Sequence, residues 1–161
     1  MSAEMKNYVL NLLDTYQDRE RKIAVLRYEL EHPAQISPEE MIGAMSFARG
    51  DGTGRTEGHI SNKTLYIALN YKDQADRINV ETVDEVARRL VVLEQEQERL
   101  VYYVSLLDKR QADVLRLAYL DQFSWEEIAR MLGVALRTAH KIKSQAVDKL
   151  VEMYAFAGTV K

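Results

Sequence analysis

The chain has no cysteine, two prolines, one tryptophan and no long uninterrupted apolar run in its 161 residues. Without cysteine there is no disulfide framework, no thiolate zinc site and no cysteine nucleophile, which fits a reducing compartment. No stretch approaches the roughly 18 consecutive apolar residues of a membrane span. The start, Met1 to Lys6, carries Glu4 in place of the basic region of a signal peptide. A cytoplasmic protein with no membrane partner is expected. Charge of one sign is also missing, because 22 Lys+Arg stand against 25 Asp+Glu, a net −3. With 47% hydrophobic residues the chain can bury a core, which excludes general disorder.

Sustained alternation of β-branched or aromatic residues with polar ones is absent as well, so no strand is assigned and the fold class is all-α. The chain breakers are concentrated. Pro33 and Pro38 lie together, and Gly50, Gly52, Gly54 and Gly58 fall within nine residues. Val9, Leu12, Tyr16, Ile23, Leu26 and Leu30 recur at helical spacing and predict a first helix over about 3–31, its seam interrupted by Arg19 and its end set by His32-Pro33. Ser37 and Pro38 are a cap and a first-turn proline for a short helix over about 38–48. The Gly-rich loop 49–60 follows, a composition that predicts a connector, and then a helix over about 61–78.

A fourth helix, about 80–107, has the most regular pattern. Val83, Val86, Leu90, Leu93, Gln97, Leu100, Val104 and Leu107 alternate steps of three and four, a heptad seam with one polar member. A compact globule of this length has a radius of gyration of roughly 15 Å, whereas a 28-residue helix is about 42 Å long. The expectation is an elongated helical bundle with long coiled-coil-like helices, in which the first and fourth pack side by side. The alternative is a homodimer through the heptad helix, since a polar seam residue such as Gln97 often fixes oligomer state.

Beyond residue 107 the periodicity shortens, which places a helical N-terminal region over 1–107 and a compact module over 108–161. Asp108-Lys109-Arg110-Gln111 opens a helix containing Val114, Leu115, Ala118 and Tyr119. Ser124-Trp125-Glu126-Glu127 is a capping box. The helix it starts carries Ile128, Ala129 and Leu132 and stops at Gly133, a residue suited to a left-handed turn. The last helix should bury Thr138 or Ala139, Ile142, Ala146, Leu150 and Met153 and expose Arg137, His140, Lys141, Ser144 and Asp148. A short helix, a turn at a glycine and a second helix with a basic N-terminal face make a helix-turn-helix. Charge is partitioned accordingly. Residues 1–107 hold 13 Lys+Arg and 18 Asp+Glu, net −5, and 108–161 hold 9 and 7, net +2.

The run from Leu107 to Leu150 resembles region four of bacterial sigma factors. Leu107, Arg110, Val114, Leu115, Tyr119, Glu126-Glu127-Ile128-Ala129, Leu132-Gly133-Val134, Thr138, Ile142, Lys143, Ala146 and Leu150 carry the likeness. The order of the remaining features, a long helix, a Gly-rich loop and a heptad helix, resembles small sigma-like transcription regulators of phages and prophages. The resemblance implies a reader of double-stranded DNA that acts with RNA polymerase. It places Leu136, Arg137, His140 and Lys141 toward the bases and Ser144 near the backbone, and it counts Lys143 among the DNA-binding residues. Two positions depart from the family. Ala135 stands where Ser or Thr usually caps the recognition helix, a loss of about 1 kcal/mol, and Leu136 offers no hydrogen bond. No basic segment resembles the sigma domain that reads the −10 element, so a regulator dependent on polymerase or a host sigma factor is expected, not a complete sigma factor.

Other signals carry less. The Gly-rich loop lacks the Lys-Ser/Thr of a P-loop. Lys63, Tyr66, Tyr71 and Lys72 have the chemistry to stack on and neutralise single-stranded nucleic acid, but burial of the rings is the simpler reading. His32, His59 and His140 have no metal-ligand spacing, and Glu94, Glu96 and Glu98 do not converge. No cofactor, metal or catalytic residue is expected, and the chain is read as a non-enzyme. Trp125 is read as a core anchor. The competing functional reading is a helical scaffold, or a protein that sequesters polymerase or a sigma factor by imitating region four without useful DNA affinity.

Overall fold

The computed structural model describes residues 2–33, 35, 37, 39 and 62–159. Among the described residues the chain forms α-helices, one π-helical turn and no strand. The helices are α1 (Ser2–Asp14), α2 (Tyr16–Glu31), α3 (Asn62–Ser105), α4 (Lys109–Leu115), α5 (Trp125–Leu132) and α6 (Leu136–Thr159). The π-helical turn, Arg116–Leu120, extends α4. The protein is all-α, as its lack of strand patterning requires. The short helix expected over 38–48 and the Gly-rich loop 49–60 lie outside the described residues.

Two boundaries differ from the sequence expectation. The helix read as 3–31 is interrupted at Thr15, whose hydroxyl donates to the Asn11 carbonyl at 2.7 Å while its own N–H bonds the same oxygen at 2.9 Å. A threonine that back-bonds one turn earlier weakens and bends a helix. In the opposite sense, the helices read as 61–78 and 80–107 are one helix. Residues 59–132 contain neither glycine nor proline, so the backbone meets no steric or hydrogen-bonding reason to stop.

The chain divides into two compact units, residues 1–24 with 91–161, and residues 25–90. This differs from a division at 107. Val9, Leu12 and Leu13 of α1 belong to the same buried cluster as Leu100, Val104 and Leu107, Ala112 and Leu115 of α4, and Ala146, Val147, Leu150 and Tyr154 of α6. Each such Leu or Val contributes roughly 1.5–3 kcal/mol by leaving water. In the unit 25–90, Ala75 and Leu90 are buried and the Tyr28 ring stacks on His32 at 4.3 Å.

The two polar residues that interrupt the apolar seams meet each other. Arg19 is 5% exposed; its Nε donates to Gln97 Oε1 at 2.8 Å, and its other nitrogens donate to Thr15 Oγ1 and to the Leu12 carbonyl. Gln97 Nε2 donates in turn to Glu20 Oε1 at 2.7 Å. Gln97, Leu100, Val104 and Leu107 of the heptad seam are therefore buried within the chain. Gln17 adds a second tie, donating to the Leu120 carbonyl at 2.7 Å at the end of the π-helical turn, where a carbonyl has no partner within the helix.

Candidate nucleic-acid interface

The C-terminal three-helix arrangement is built from local rules. The Ser124 hydroxyl accepts from the Glu127 N–H at 3.3 Å and Glu127 Oε2 accepts from the Ser124 N–H at 2.9 Å, the reciprocal box that starts α5. These bonds hold the Glu127 carboxyl below the usual glutamate range. α5 ends at Gly133 with φ +63°, and the Val134 N–H returns to the Ala129 carbonyl at 3.0 Å. Immediately beyond this turn α6 begins. The Ala135 carbonyl accepts its first bond, from the Ala139 N–H at 3.0 Å, but alanine has no side chain with which to cap.

A second apolar cluster locks α4, α5 and α6 together. Val114, Ile128 and Ile142 are buried, and Leu117, Ala118, Trp125 and Leu132 pack around them. Val114 and Leu115 are both fully buried, so α4 sends adjacent side chains into the two cores. On α6 the buried positions are Ala139, Ile142, Ala146, Val147, Leu150 and Tyr154. Of Thr138 and Ala139, it is Ala139 that faces inward, and Met153 is half-buried.

What α6 leaves outside is polar and cationic. Arg137, His140, Lys141 and Ser144 are exposed, and Leu136 is 41% exposed. Arg137, Lys141 and Ser144 follow steps of four and three and share one helix face. Among the described residues, neither Arg137 nor Lys141 makes an ion pair, whereas Asp148 and Lys149 further along are taken up by Lys6 and Asp108 at 2.7 and 2.9 Å. Lys143 differs from the other cations. It is half-buried, with Nζ 5.1 Å from the Trp125 ring centre and 5.6 Å from that of Tyr119, cation–π distances that hold it against the aromatic pair. The His140 ring packs on the same indole, 4.7 Å from it between centres.

Trp125 thus packs on the second core, as expected, and also positions two of the six candidate side chains, a role its place beside the cap did not reveal. Two further cations were missed by the sequence reading. Lys109 and Arg110 line a surface cleft of about 520 Å³ together with Thr138, Lys141 and Gln145. The signal was present in the opening run Asp108-Lys109-Arg110-Gln111, but its nearness to Lys141 depends on how α4 packs on α6. Gln111 is buried beside the same cleft with its Oε1 unpaired.

No helix among the described residues is long and apolar enough to cross a membrane. No curated protein and no solved structure matches the chain. Residues 104–152 match the family model of Sigma-70, region 4, which spans α4, α5 and most of α6 together with the end of α3. The C-terminal module of this chain is a sigma region four-like helix-turn-helix, α5 and α6 being its two helices.

Proposed function

We propose that the chain is a transcription regulator that inserts the N-terminal turns of α6 into the major groove of double-stranded DNA and acts together with RNA polymerase. The observation that carries this reading is the cationic face of Arg137 and Lys141, which make no ion pair among the described residues and are backed by the buried cluster of Val114, Ile128 and Ile142. An α-helix fits the major groove, and side chains of its first turns reach base edges there. Arg137 and Lys141 supply donors and charge, His140 a ring oriented by Trp125, and Leu136 an apolar contact for a thymine methyl. Ser144 and Lys143 lie further along, toward the backbone. Lys109 and Arg110 add charge beside Lys141 for phosphates, which position the protein without reading sequence.

The region four family binds both DNA and polymerase, and the missing cap at Ala135 supports a reader that works with that partner. The reading places 108–161 as the reader and 1–107 as the part for assembly or partner contact, in the cytoplasm, without a catalytic step. The order of long helix, Gly-rich loop and heptad helix supports a regulator of the phage or prophage type. A homodimer through the heptad helix would use Val83, Val86 and Leu93, because Gln97 to Leu107 are already covered.

A second reading, a scaffold that occupies polymerase without useful DNA affinity, is favoured by one observation: Met131 and Leu136, at 53% and 41% exposure, leave apolar surface beside the turn. Selection of bound fragments from random duplex DNA, with and without polymerase, separates the two. An enriched sequence in either arm supports the regulator; polymerase capture with no enriched sequence supports the scaffold.

A further inference from the structure

The outer side of α6 carries two neighbouring stripes. Arg137, Lys141 and Ser144 form one and stand in solvent. Leu136, His140 and Lys143, again at steps of four and three, form the other. The second stripe rests on aromatic rings. Lys143 Nζ lies 5.1 Å from the centre of the Trp125 ring and 5.6 Å from that of Tyr119, both within the roughly 6 Å reach of a cation–π contact. The His140 ring lies 4.7 Å from the same indole, tilted by 37°. We propose that Trp125 and Tyr119 are positioning residues for DNA recognition, holding the Lys143 ammonium and the His140 ring in place before a duplex arrives. The proposal rests on α6 being the DNA reader.

Each ring is fixed from behind by a different core. Trp125 packs against the cluster of Val114, Ile128 and Ile142, and as the first residue of α5 it is placed by the Ser124–Glu127 box. Tyr119 packs against the other cluster, the one that contains Leu115, Leu100 and Leu150. It lies in the π-helical turn, where the Tyr119 and Leu120 carbonyls accept from Gln17 Nε2 at 3.3 and 2.7 Å. Two anchored rings therefore meet one flexible side chain. Lys143 makes no ion pair among the described residues, so the rings are what restrains its ammonium.

Filling a core needs neither a cation nor an imidazole on the outer faces of these rings, and apolar residues at 140 and 143 would pack there as well. The chain instead places two side chains with donors for phosphate oxygens or base edges. A lysine that is free in solution loses its rotamer freedom when it meets a phosphate, whereas one already restrained loses less. Arg137 and Lys141 have no ring contact of this kind among the described residues.

The test is a mutant cycle on the full chain, with affinity for one selected duplex measured at fixed salt. Trp125→Leu keeps an apolar residue on the core and removes the ring, whereas Trp125→Phe keeps a ring face. The proposal predicts that Trp125→Leu weakens binding by about three- to tenfold and that Trp125→Phe restores most of the loss. In a His140→Ala/Lys143→Met background, Trp125→Leu should weaken binding no further. Tyr119→Leu makes the same prediction through the other ring. Without DNA, the Lys143 methylene protons should show upfield ring-current shifts that Trp125→Leu reduces, while circular dichroism checks that each variant is folded. Absence of those shifts, parental affinity in Trp125→Leu, an undiminished loss in the doubly substituted background, or Phe no better than Leu each overturn the positioning role. If Arg137→Ala and Lys141→Ala still weaken binding, the DNA reading survives that outcome; parental affinity in these two variants as well contradicts both.

Discussion

Replacing Gln97 sets heptad periodicity against the observed packing. Gln97→Leu keeps the volume and completes the heptad seam, so periodicity alone predicts a more stable protein. The structure predicts the reverse. Arg19 is 5% exposed and loses the acceptor of its Nε, while Glu20 loses the donor it accepts from. A hydrogen bond to a charged group contributes about 1.5–3 kcal/mol, and Gln97 makes one to the buried Arg19 guanidinium and one to the exposed Glu20 carboxylate. The bonds from Arg19 to Thr15 and to the Leu12 carbonyl survive and soften the loss. A net destabilisation of about 1–3 kcal/mol follows. The double variant Arg19→Met/Gln97→Leu removes both partners and should be less destabilised than the sum of its singles by at least about 1 kcal/mol. Urea unfolding followed by circular dichroism measures all four corners of the cycle. If Gln97→Leu is as stable as the parent, or if the singles are additive, the Arg19–Gln97 bond does not contribute as described.

Ala135→Ser supplies the missing cap of α6 and should raise stability by about 1 kcal/mol, read from the same unfolding curves. Gly133→Ala should cost about 1–2 kcal/mol, the strain of a left-handed alanine, and no more, because a Cβ there meets nothing within 4 Å; a larger drop in the unfolding midpoint would mean that the turn is crowded. The capping box makes a pH prediction. Glu127 has a folded pKa below its unfolded one, so its contribution is present above the unfolded value and disappears as pH falls through the folded value. Thermal melts of the parent and Glu127→Gln should differ at neutral pH and converge below about pH 4; a gap constant with pH would contradict the box.

How much of this was legible follows from the range of the interaction that decides each feature. The box at Ser124 and the turn at Gly133 depend on neighbours within a few residues, and the chain carries those neighbours in order. The buried side of α6 followed from its spacing, with Ala139 chosen over Thr138 because the smaller side chain fits where exposure is zero. The interruption at Thr15 was not legible, since the same hydroxyl is free to face solvent. The break placed near residue 79 had no glycine or proline behind it, and none exists in the folded chain. Arg19 and Gln97 were each visible as a polar gap in an apolar seam. That they answer one another, 78 positions apart, required the packing. The same holds for Lys109 and Arg110 beside Lys141, and for the sharing of one core by residues 1–24 and the reader.

The proposed function stands on the outer face of α6 being a DNA surface, and the salt dependence of binding to a selected duplex probes that face directly. Removing one cation that pairs with a phosphate should reduce the slope of log affinity against log salt by about 1. Arg137→Ala and Lys141→Ala should each weaken binding, and at least one should flatten the slope by that amount. The triple alanine variant at 137, 140 and 141 should lose sequence preference while its circular dichroism spectrum stays that of the folded parent. Binding by the triple variant with the parent's affinity and slope would mean that this face does not meet DNA.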